Sequence, residues 1–142
     1  MGFLIDTNVL SELRKGQRAC PHVTAWYASV AEEDIYLSVL VVGEIRRGIE
    51  NLRRRDAVSA TRLGIWLQQV EAEHGDRILP ISRDVAARWG QVSCPDPLPV
   101  VDALLAATAL VHGHTLVTRN TKDVARTGVA LLNPFEPPVA PR

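Results

Sequence analysis

The sequence has few of the features that are typical of secreted or membrane proteins. Its two cysteines, Cys20 and Cys94, show neither CxxC spacing nor a histidine at ligand spacing, which favours a reducing compartment and small apolar roles for both. The longest apolar stretch, residues 103–111, is far shorter than the roughly 20 residues of a membrane helix. The start lacks the basic segment and apolar run of a signal peptide. We therefore expect a soluble, cytoplasmic protein that contacts no membrane.

A net charge is also missing. Sixteen basic residues balance sixteen acidic ones, so the chain as a whole does not attract nucleic acid through an excess of positive charge. Fourteen of the basic residues are arginine, and six of these lie close together: Arg46, Arg47, Arg53, Arg54, Arg55 and Arg62. Arginine suits phosphates and equally suits carboxylates of a protein partner. A solvent-facing helix interleaved with Glu50 and Asp56 explains the cluster just as well.

Short apolar runs alternate with longer segments of helical periodicity. Predicted strands cover residues 2–5, 35–37, 78–81, 115–117 and 129–132, and predicted helices cover 7–13, 22–31, 39–51, 57–74, 84–92, 99–112 and 121–126. This alternation predicts an α/β fold with a mainly parallel sheet of about five strands flanked by helices. No linker or repeat divides the chain, so we expect residues 1–142 to form one domain with an irregular tail over 133–142.

Four acidic residues occupy positions where a carboxylate is costly. Asp6 directly follows an apolar strand, and Glu44 has apolar neighbours on both sides within a helix. Asp102 lies in the first turn of a helix that is apolar on nearly all faces, and Asp123 follows a predicted strand by a few residues. Ligands of parallel sheets bind beyond the carboxyl ends of the strands. We therefore expect these acids to converge at one edge of the sheet.

Taken singly, each of these acids has an ordinary explanation. Asp6 and Asp102 suit the start of a helix, Glu44 is spaced to pair with Arg47, and Asp123 suits the surface. Carboxylates brought together, however, raise one another's pKa values unless a cation neutralises them. Because the set holds oxygen donors without histidine or cysteine, it indicates Mg²⁺ or Mn²⁺ rather than zinc.

Four blocks of sequence carry a resemblance to a known family. They are Asp6-Thr7-Asn8, Leu37-Ser38-Val39 with Gly43-Glu44-Ile45-Arg46-Arg47-Gly48, the segment DALLAATA over 102–109, and the segment LVTRNTKD over 116–123. In this order and spacing they resemble the PIN-domain ribonucleases. More narrowly, the chain resembles the VapC toxins of bacterial type II toxin–antitoxin pairs, including their FitB-like branch. The likeness covers almost the whole chain, down to Asn133-Pro134-Phe135, and implies a PIN-like three-layer fold.

The resemblance also implies which acids form the catalytic and metal-binding set. Asp6, Glu44 and Asp102 correspond to the family's core triad. The last acid of family members stands at the position of either Asn120 or Asp123, and only Asp123 is acidic here. Asp123 is therefore taken as the fourth acid and metal ligand, and Asn120 as a polar supporter.

Two hydroxyl residues are predicted to lie near the site. Thr7 and Thr118 are expected to contact it through their hydroxyl groups, with a structural capping role as the alternative. Val124 stands where the family usually has an aromatic residue after its last acid.

The activity implied by the resemblance is metal-dependent hydrolysis of RNA phosphodiesters. One or two Mg²⁺ or Mn²⁺ ions would be held by Asp6, Asp102 and Asp123, with Glu44 as a further ligand or as the base that orients a water. Structured RNAs such as tRNA are frequent targets, and single-stranded or loop RNA is the expected substrate. The implied partners are a VapB-type antitoxin and a second copy of the chain, in a homodimer within a toxin–antitoxin hetero-oligomer. Promoter DNA would be contacted only through the antitoxin.

Two other functions remain open on the residues alone. A HAD-type phosphatase also places an aspartate after its first strand, but its chemistry needs a second aspartate where Asn8 stands. A PIN-like module without metals would bind RNA or protein and cut nothing, although the presence of all four acids argues against it. Metal-dependent cleavage of RNA separates the enzyme from the binding module.

The histidines and tryptophans carry no catalytic signal. His112 and His114 flank a helix end, where capping or surface positions are expected. Trp26, Trp66 and Trp89 lie in amphipathic helices and are predicted to be core or interface residues.

Overall fold

The computed structural model describes residues 2–138, and within that range a sheet of five strands is combined with seven α-helices. The strands are β1 (Phe3–Ile5), β2 (Ile35–Ser38), β3 (Ile78–Leu79), β4 (Thr115–Val117) and β5 (Leu131–Leu132). The helices are α1 (Thr7–Arg14), α2 (Pro21–Ser29), α3 (Val39–Arg53), α4 (Ala57–His74), α5 (Arg83–Val92), α6 (Val100–His112) and α7 (Thr121–Val124).

The strands are ordered β3-β2-β1-β4-β5, and all four neighbouring pairs are parallel. The prediction of an α/β fold with a mainly parallel sheet is thus confirmed. Phe3 of the central strand pairs with Ile35 on one side and Thr115 on the other. Because parallel strands end on the same side, the sheet has a carboxyl edge, where β1, β2 and β4 end, and an amino edge, where they begin.

The main hydrophobic core surrounds β1. Leu4 and Ile5 are fully buried, as expected for a strand covered on both faces. Each such side chain contributes roughly 1.5–3 kcal/mol of burial free energy. A smaller cluster between α3 and α4 is formed by Ile49, Ala60 and Leu67.

The tryptophans differ in their surroundings. Trp26 packs against the main core and meets Phe3 edge-on at 5.5 Å between ring centroids. Trp66 contacts both clusters, and these two residues confirm the core prediction. Trp89 is half-buried on α5, and its Nε1 is buried without a hydrogen-bond partner in the described part of the chain.

Several predicted boundaries are wrong by a few residues. The predicted strand 78–81 ends at Leu79, since Pro80 has no N–H to donate to a strand ladder. The predicted strand 129–132 begins only at Leu131, because the N–H of Val129 is donated to Thr127 Oγ1 in the preceding turn. Helix α2 ends at Ser29, two residues before the predicted end.

The chain after β5 is irregular as far as it is described. Phe135 holds this segment in place: the Arg119 guanidinium lies 3.8 Å from its ring centroid, and its N–H donates to Asn133 Oδ1 at 3.0 Å. The rest of the predicted tail, residues 139–142, lies outside the described residues. The interpretation of residues 1–142 as one domain stays a prediction. Among the described helices, none is both long and apolar enough to cross a membrane.

Candidate active site

Asp6 lies at the carboxyl edge, immediately after β1. Its N–H donates to Val117 O at 2.9 Å, which extends the pairing of β1 with β4 by one residue. Asp6 is only 6% exposed. Its Oδ1 accepts from the N–H of Thr7 at 2.7 Å, and its Oδ2 accepts from Thr118 Oγ1 at 2.7 Å and from Asn8 Nδ2 at 3.3 Å. Asp6 is therefore held by three donors from two segments of the chain.

The first contact also shows which residue caps α1, which begins at Thr7 as predicted. The sequence suggested Thr7 as the capping residue, whereas Asp6 is the N-cap and accepts from the first N–H of the helix. The Thr7 hydroxyl is thereby free for another contact. It donates to Glu44 Oε1 at 2.7 Å.

Glu44 is half-buried on α3, the helix that starts where β2 ends. Ser38 caps this helix by accepting from the N–H of Leu40 at 3.1 Å. Helix α3 therefore begins at the carboxyl edge, and Glu44 lies within its second turn. The bond from Thr7 orients the Glu44 carboxylate toward the first turn of α1.

Thr118, which follows β4, links several segments at this edge. It is 1% exposed, and its hydroxyl donates to Asp6 while accepting from the backbone N–H of Asn120 at 3.1 Å and from Asn8 Nδ2 at 3.4 Å. Asn8 Oδ1 in turn accepts from the N–H of Arg119 at 3.3 Å. Asn8 was not singled out from the sequence as a site residue, although it belongs to the Asp6-Thr7-Asn8 block that marked this region.

Asp102 is the third residue of α6, which runs back across the sheet and leads into β4. Its helix therefore begins at the carboxyl edge, where its half-buried carboxyl meets the other acids. Burial raises the pKa of Asp102 above its ordinary value, and the charges of Asp6, Asp123 and Glu44 raise it further. These repulsions show that the structure brings all four predicted acids into one region.

The pKa of Asp6 is also raised. Burial is the largest cause, and the charge of Glu44 adds to it. The hydrogen bonds from Thr118, Thr7 and Asn8 stabilise the charged form and offset part of the increase. Within residues 2–138, no cationic side chain is hydrogen-bonded to Asp6 or paired with it.

The fourth block contributes two exposed residues. Asp123 lies on the four-residue helix α7, and its charge acts on Asp102. Asn120 contacts the site through its backbone N–H, which donates to Thr118. Val124 is buried in the main core, where it occupies the position at which an aromatic residue was expected.

The donor set suits a hard divalent cation. Asp6 accepts three hydrogen bonds and so retains about one free lone-pair position of its four, and Asp102 accepts none from residues 2–138. Within the same range, no three acidic, histidine or cysteine side chains already converge into a group that holds an ion. Mg²⁺ keeps several waters and needs only one or two direct carboxylates. The residues therefore fit a hydrated Mg²⁺ or Mn²⁺ ion better than a closed ligand cage.

Comparison with protein families identifies this arrangement. The model of the PIN domain matches residues 3–129, a range that includes all four acids. The chain belongs to the PIN domain family. The sequence resemblance to that family is thereby confirmed.

Two proteins are similar to this PIN domain over nearly its whole length. Toxin FitB from Neisseria gonorrhoeae is 34% identical over 94% of this chain and 98% of its own. VapC ribonuclease Y4jK from Sinorhizobium fredii is 30% identical over 95% of this chain and 99% of its own.

Two solved structures show the same fold. FitAcB from Neisseria gonorrhoeae matches with a TM-score of 0.85 at 33% identity, covering 94% of this chain and 98% of the other. FitAB bound to an IR36 DNA fragment matches with a TM-score of 0.85 at 32% identity, covering 94% and 96%. The five-stranded α/β architecture is thus that of the FitB-like PIN domains.

Proposed function

We propose that this PIN domain is a Mg²⁺- or Mn²⁺-dependent endoribonuclease that acts as the toxin of a VapBC-type toxin–antitoxin pair. The observation that carries the proposal is the group of four carboxylates at one edge of the sheet. Two of them, Asp6 and Asp102, have raised pKa values and no compensating cationic side chain hydrogen-bonded to them within residues 2–138. The similarity to a FitB toxin and a VapC ribonuclease supports the same class.

Each acid has a role in this reaction. Asp6, held rigidly by Thr118, and Asp102 and Asp123 bind the divalent cation directly or through water. When bound, the cation lowers the pKa of a water and offsets charge on the phosphoryl oxygens. Glu44, oriented by Thr7, binds the cation or accepts the proton of the attacking water.

The substrate of the proposed reaction is RNA, with single-stranded or loop segments cut in preference to regular duplex. In such segments the bases are splayed, and the phosphates are accessible to a site at the carboxyl edge of the sheet. Structured RNAs with exposed loops, such as tRNA, meet this requirement.

The proposed partner is a VapB-type antitoxin. Its tail reaches the acidic edge, where an arginine neutralises Asp6 and its companions and displaces the metal. The toxin is a homodimer within the toxin–antitoxin assembly in the cytoplasm, and promoter DNA is contacted through the antitoxin. The similarity to FitAcB and to FitAB bound to IR36 DNA supports this assembly.

The proposed catalysis is tested by incubating the purified protein with RNA in Mg²⁺ or Mn²⁺ and in EDTA. Asp6→Asn removes a ligand charge while keeping the side-chain volume, so cleavage is expected to fall at least about 100-fold, beyond the 10–100-fold typical of supporting residues around a metal. Asp76→Asn, at an exposed turn before β3, is the matched control and should cleave normally.

Cleavage that persists in EDTA, or that is equal in Asp6→Asn, would contradict the proposal. Binding of RNA without cleavage under any metal condition would favour the non-catalytic module. The phosphatase alternative loses its support, because the chain is a PIN domain and Asn8 provides an amide, not an acid, beside Asp6.

A further inference from the structure

The hairpin of α3 and α4 carries more positive charge than its own acids neutralise. Glu50 is paired with Arg53 at 3.2 Å and lies 4.0 Å from Arg46. Asp56 caps α4: its Oδ1 accepts from the N–H of Ser59 at 3.0 Å and its Oδ2 from the Ser59 hydroxyl at 2.6 Å. Pairing with Glu50 and Asp56 therefore accounts for only part of the arginine cluster.

Four arginines of the hairpin are exposed and form no ion pair with another described residue: Arg47, Arg54, Arg55 and Arg62. Two of them, Arg47 and Arg54, lie on α3 and at its C-terminal cap and are here called the arginine track. Asp56 is held by its hydrogen bonds from Ser59, and the charges of Arg62 and Arg55 also act on it, but neither arginine forms an ion pair with it. Arg47 and Arg54 have no acidic residue bonded to them within residues 2–138.

The arginine track continues from the acidic site along one side of α3. At about 100° per residue, Arg47 lies about 60° and Arg54 about 80° from Glu44 around the helix axis, both in the same sense. Arg54 keeps right-handed helical backbone angles, φ −68° and ψ −21°, so the spacing holds to that residue. Along the axis the track extends about 15 Å from Glu44.

The opposite side of α3 faces the protein. Ile49 is buried against α4, and Arg46 reaches across the hairpin so that a Cβ on Gly64 would lie 3.8 Å from its Nη1. The track is therefore on the free side of the helix, where it can receive a ligand without rearranging the core.

We propose that the arginine track binds the phosphates of the RNA strand that flanks the bond to be cut. The inference rests on the proposed function and assigns the surface that holds the substrate. Without a bound metal ion, the four carboxylates repel a phosphodiester, so metal-free affinity has to come from cationic side chains, and the neutral chain offers no general excess of charge. Arginine binds phosphate oxygens in a bidentate manner. An acidic protein segment on the same track would be repelled where it reaches Glu44.

The test measures binding of a fluorescein-labelled single-stranded RNA 20-mer of mixed sequence in EDTA, where no cleavage occurs. Arg47→Gln/Arg54→Gln is expected to weaken binding about tenfold and to lower the slope of log affinity against log salt by about 1.4, the value for two phosphate contacts on a single strand. In Mg²⁺, KM should rise by a similar factor while kcat stays unchanged, because the track does not touch the reacting atoms.

The matched control is Arg18→Gln/Arg88→Gln, which removes the same charge elsewhere. Arg18 lies beyond the end of α1, and Arg88 lies beside Leu110, about 12 Å along α6 from Asp102. This control should bind RNA and melt like the wild type. Melting curves of both double variants verify that each is folded.

Unchanged RNA affinity in Arg47→Gln/Arg54→Gln, or equal losses in both double variants, would overturn the inference. A track variant that keeps RNA binding but loses binding of a poly-glutamate peptide would assign the surface to an acidic protein instead. Track-dependent RNA binding without cleavage by the wild type would support the surface and overturn the proposed hydrolysis. Cleavage with track-independent binding would do the reverse.

Discussion

The two edges of the sheet place ionisable side chains in different surroundings. At the carboxyl edge, Asp6 and Asp102 keep oxygen atoms available; burial raises the pKa values of both, and neighbouring negative charges raise them further. At the amino edge, His114 stacks on Tyr36 at 4.3 Å between ring centroids and on His112 at 5.9 Å. The first edge presents carboxylates with no cationic side chain bonded to them within residues 2–138, and the second is filled by packed rings.

The amino edge leaves no room for an added atom. A Cβ built on Gly2 would lie 2.5 Å from His114 Nδ1 and 2.7 Å from Tyr36 Cε1. Burial lowers the pKa of His114, and the neighbouring His112 lowers it further. His114 is thus half-buried in a stack, not at the surface or capping position that the sequence suggested.

The two edges should respond to pH with opposite signs. The pKa of Asp102 is raised above 3.8, so its stabilising contribution is complete below that pH and is lost as pH rises through the raised value. The pKa of His114 is lowered from 6.5, so its contribution is present above that pH and is lost as pH falls through the lowered value. At neutral pH, His114 therefore makes its full contribution to stability, whereas the charged Asp102 lowers stability unless a cation is bound.

The carboxyl edge can be disturbed most sharply at Thr118. Thr118→Val keeps the shape but removes the hydroxyl that donates to Asp6 and accepts from Asn120, so RNA cleavage is expected to fall about 10–100-fold. Thr118→Ser retains the hydroxyl and should stay near the wild-type rate. Equal rates for the valine and serine variants would show that Asp6 does not depend on this bond.

The amino edge can be disturbed at Gly2 without touching the acids. Gly2→Ala should lower the free energy of unfolding by about 1–3 kcal/mol, measured by urea denaturation, because the methyl group overpacks against His114. Cleavage per folded molecule should not change. Gly90→Ala, in a helix position with open space around its Cβ, is the control and should gain about 0.5–1 kcal/mol. A stable Gly2→Ala protein would contradict the closed packing.

The repulsion among the acids of the carboxyl edge can be measured with Asp102→Asn. In metal-free buffer at neutral pH this variant should melt about 2–4 °C above the wild type, because one of four repelling charges is removed. The difference should shrink as pH falls through the raised pKa of Asp102, since its carboxyl becomes protonated in the wild type. His114 is the same in both proteins, so its response cancels in the comparison.

Added Mg²⁺ should reverse the order of the two melting temperatures, since the wild type binds the cation more tightly. A lower melting temperature for Asp102→Asn at neutral pH without metal would contradict the repulsion between the acids.

The acids of the carboxyl edge were predictable because the sequence patterns that mark them span only a few residues. An acid directly after an apolar strand, or in the first turn of an apolar helix, is visible in a few residues, as for Asp6 and Asp102. Parallel strands then place such acids at one edge. Whether these acids bind metal and catalyse remains a proposal.

The hydrogen bonds that hold the acids were harder to predict. Thr118 and Asp6 are 112 residues apart, and Asn8 meets Thr118 across 110. The sequence indicated that Thr7 and Thr118 lie near the site but left capping as the alternative for both. It did not reveal that Asp6 is the N-cap of α1, nor that the Thr7 hydroxyl donates to Glu44 instead.

By itself, the sequence determined the alternation of strands and helices, the acids that interrupt it and the richness in arginine. These depend on periodicity and on the cost of isolated charges, which act over a few residues. Only the tertiary structure decided which donors meet Asp6, which arginines remain unpaired and that His114 is enclosed. Those outcomes depend on β4 lying beside β1, because that pairing brings distant segments within hydrogen-bonding and packing distance.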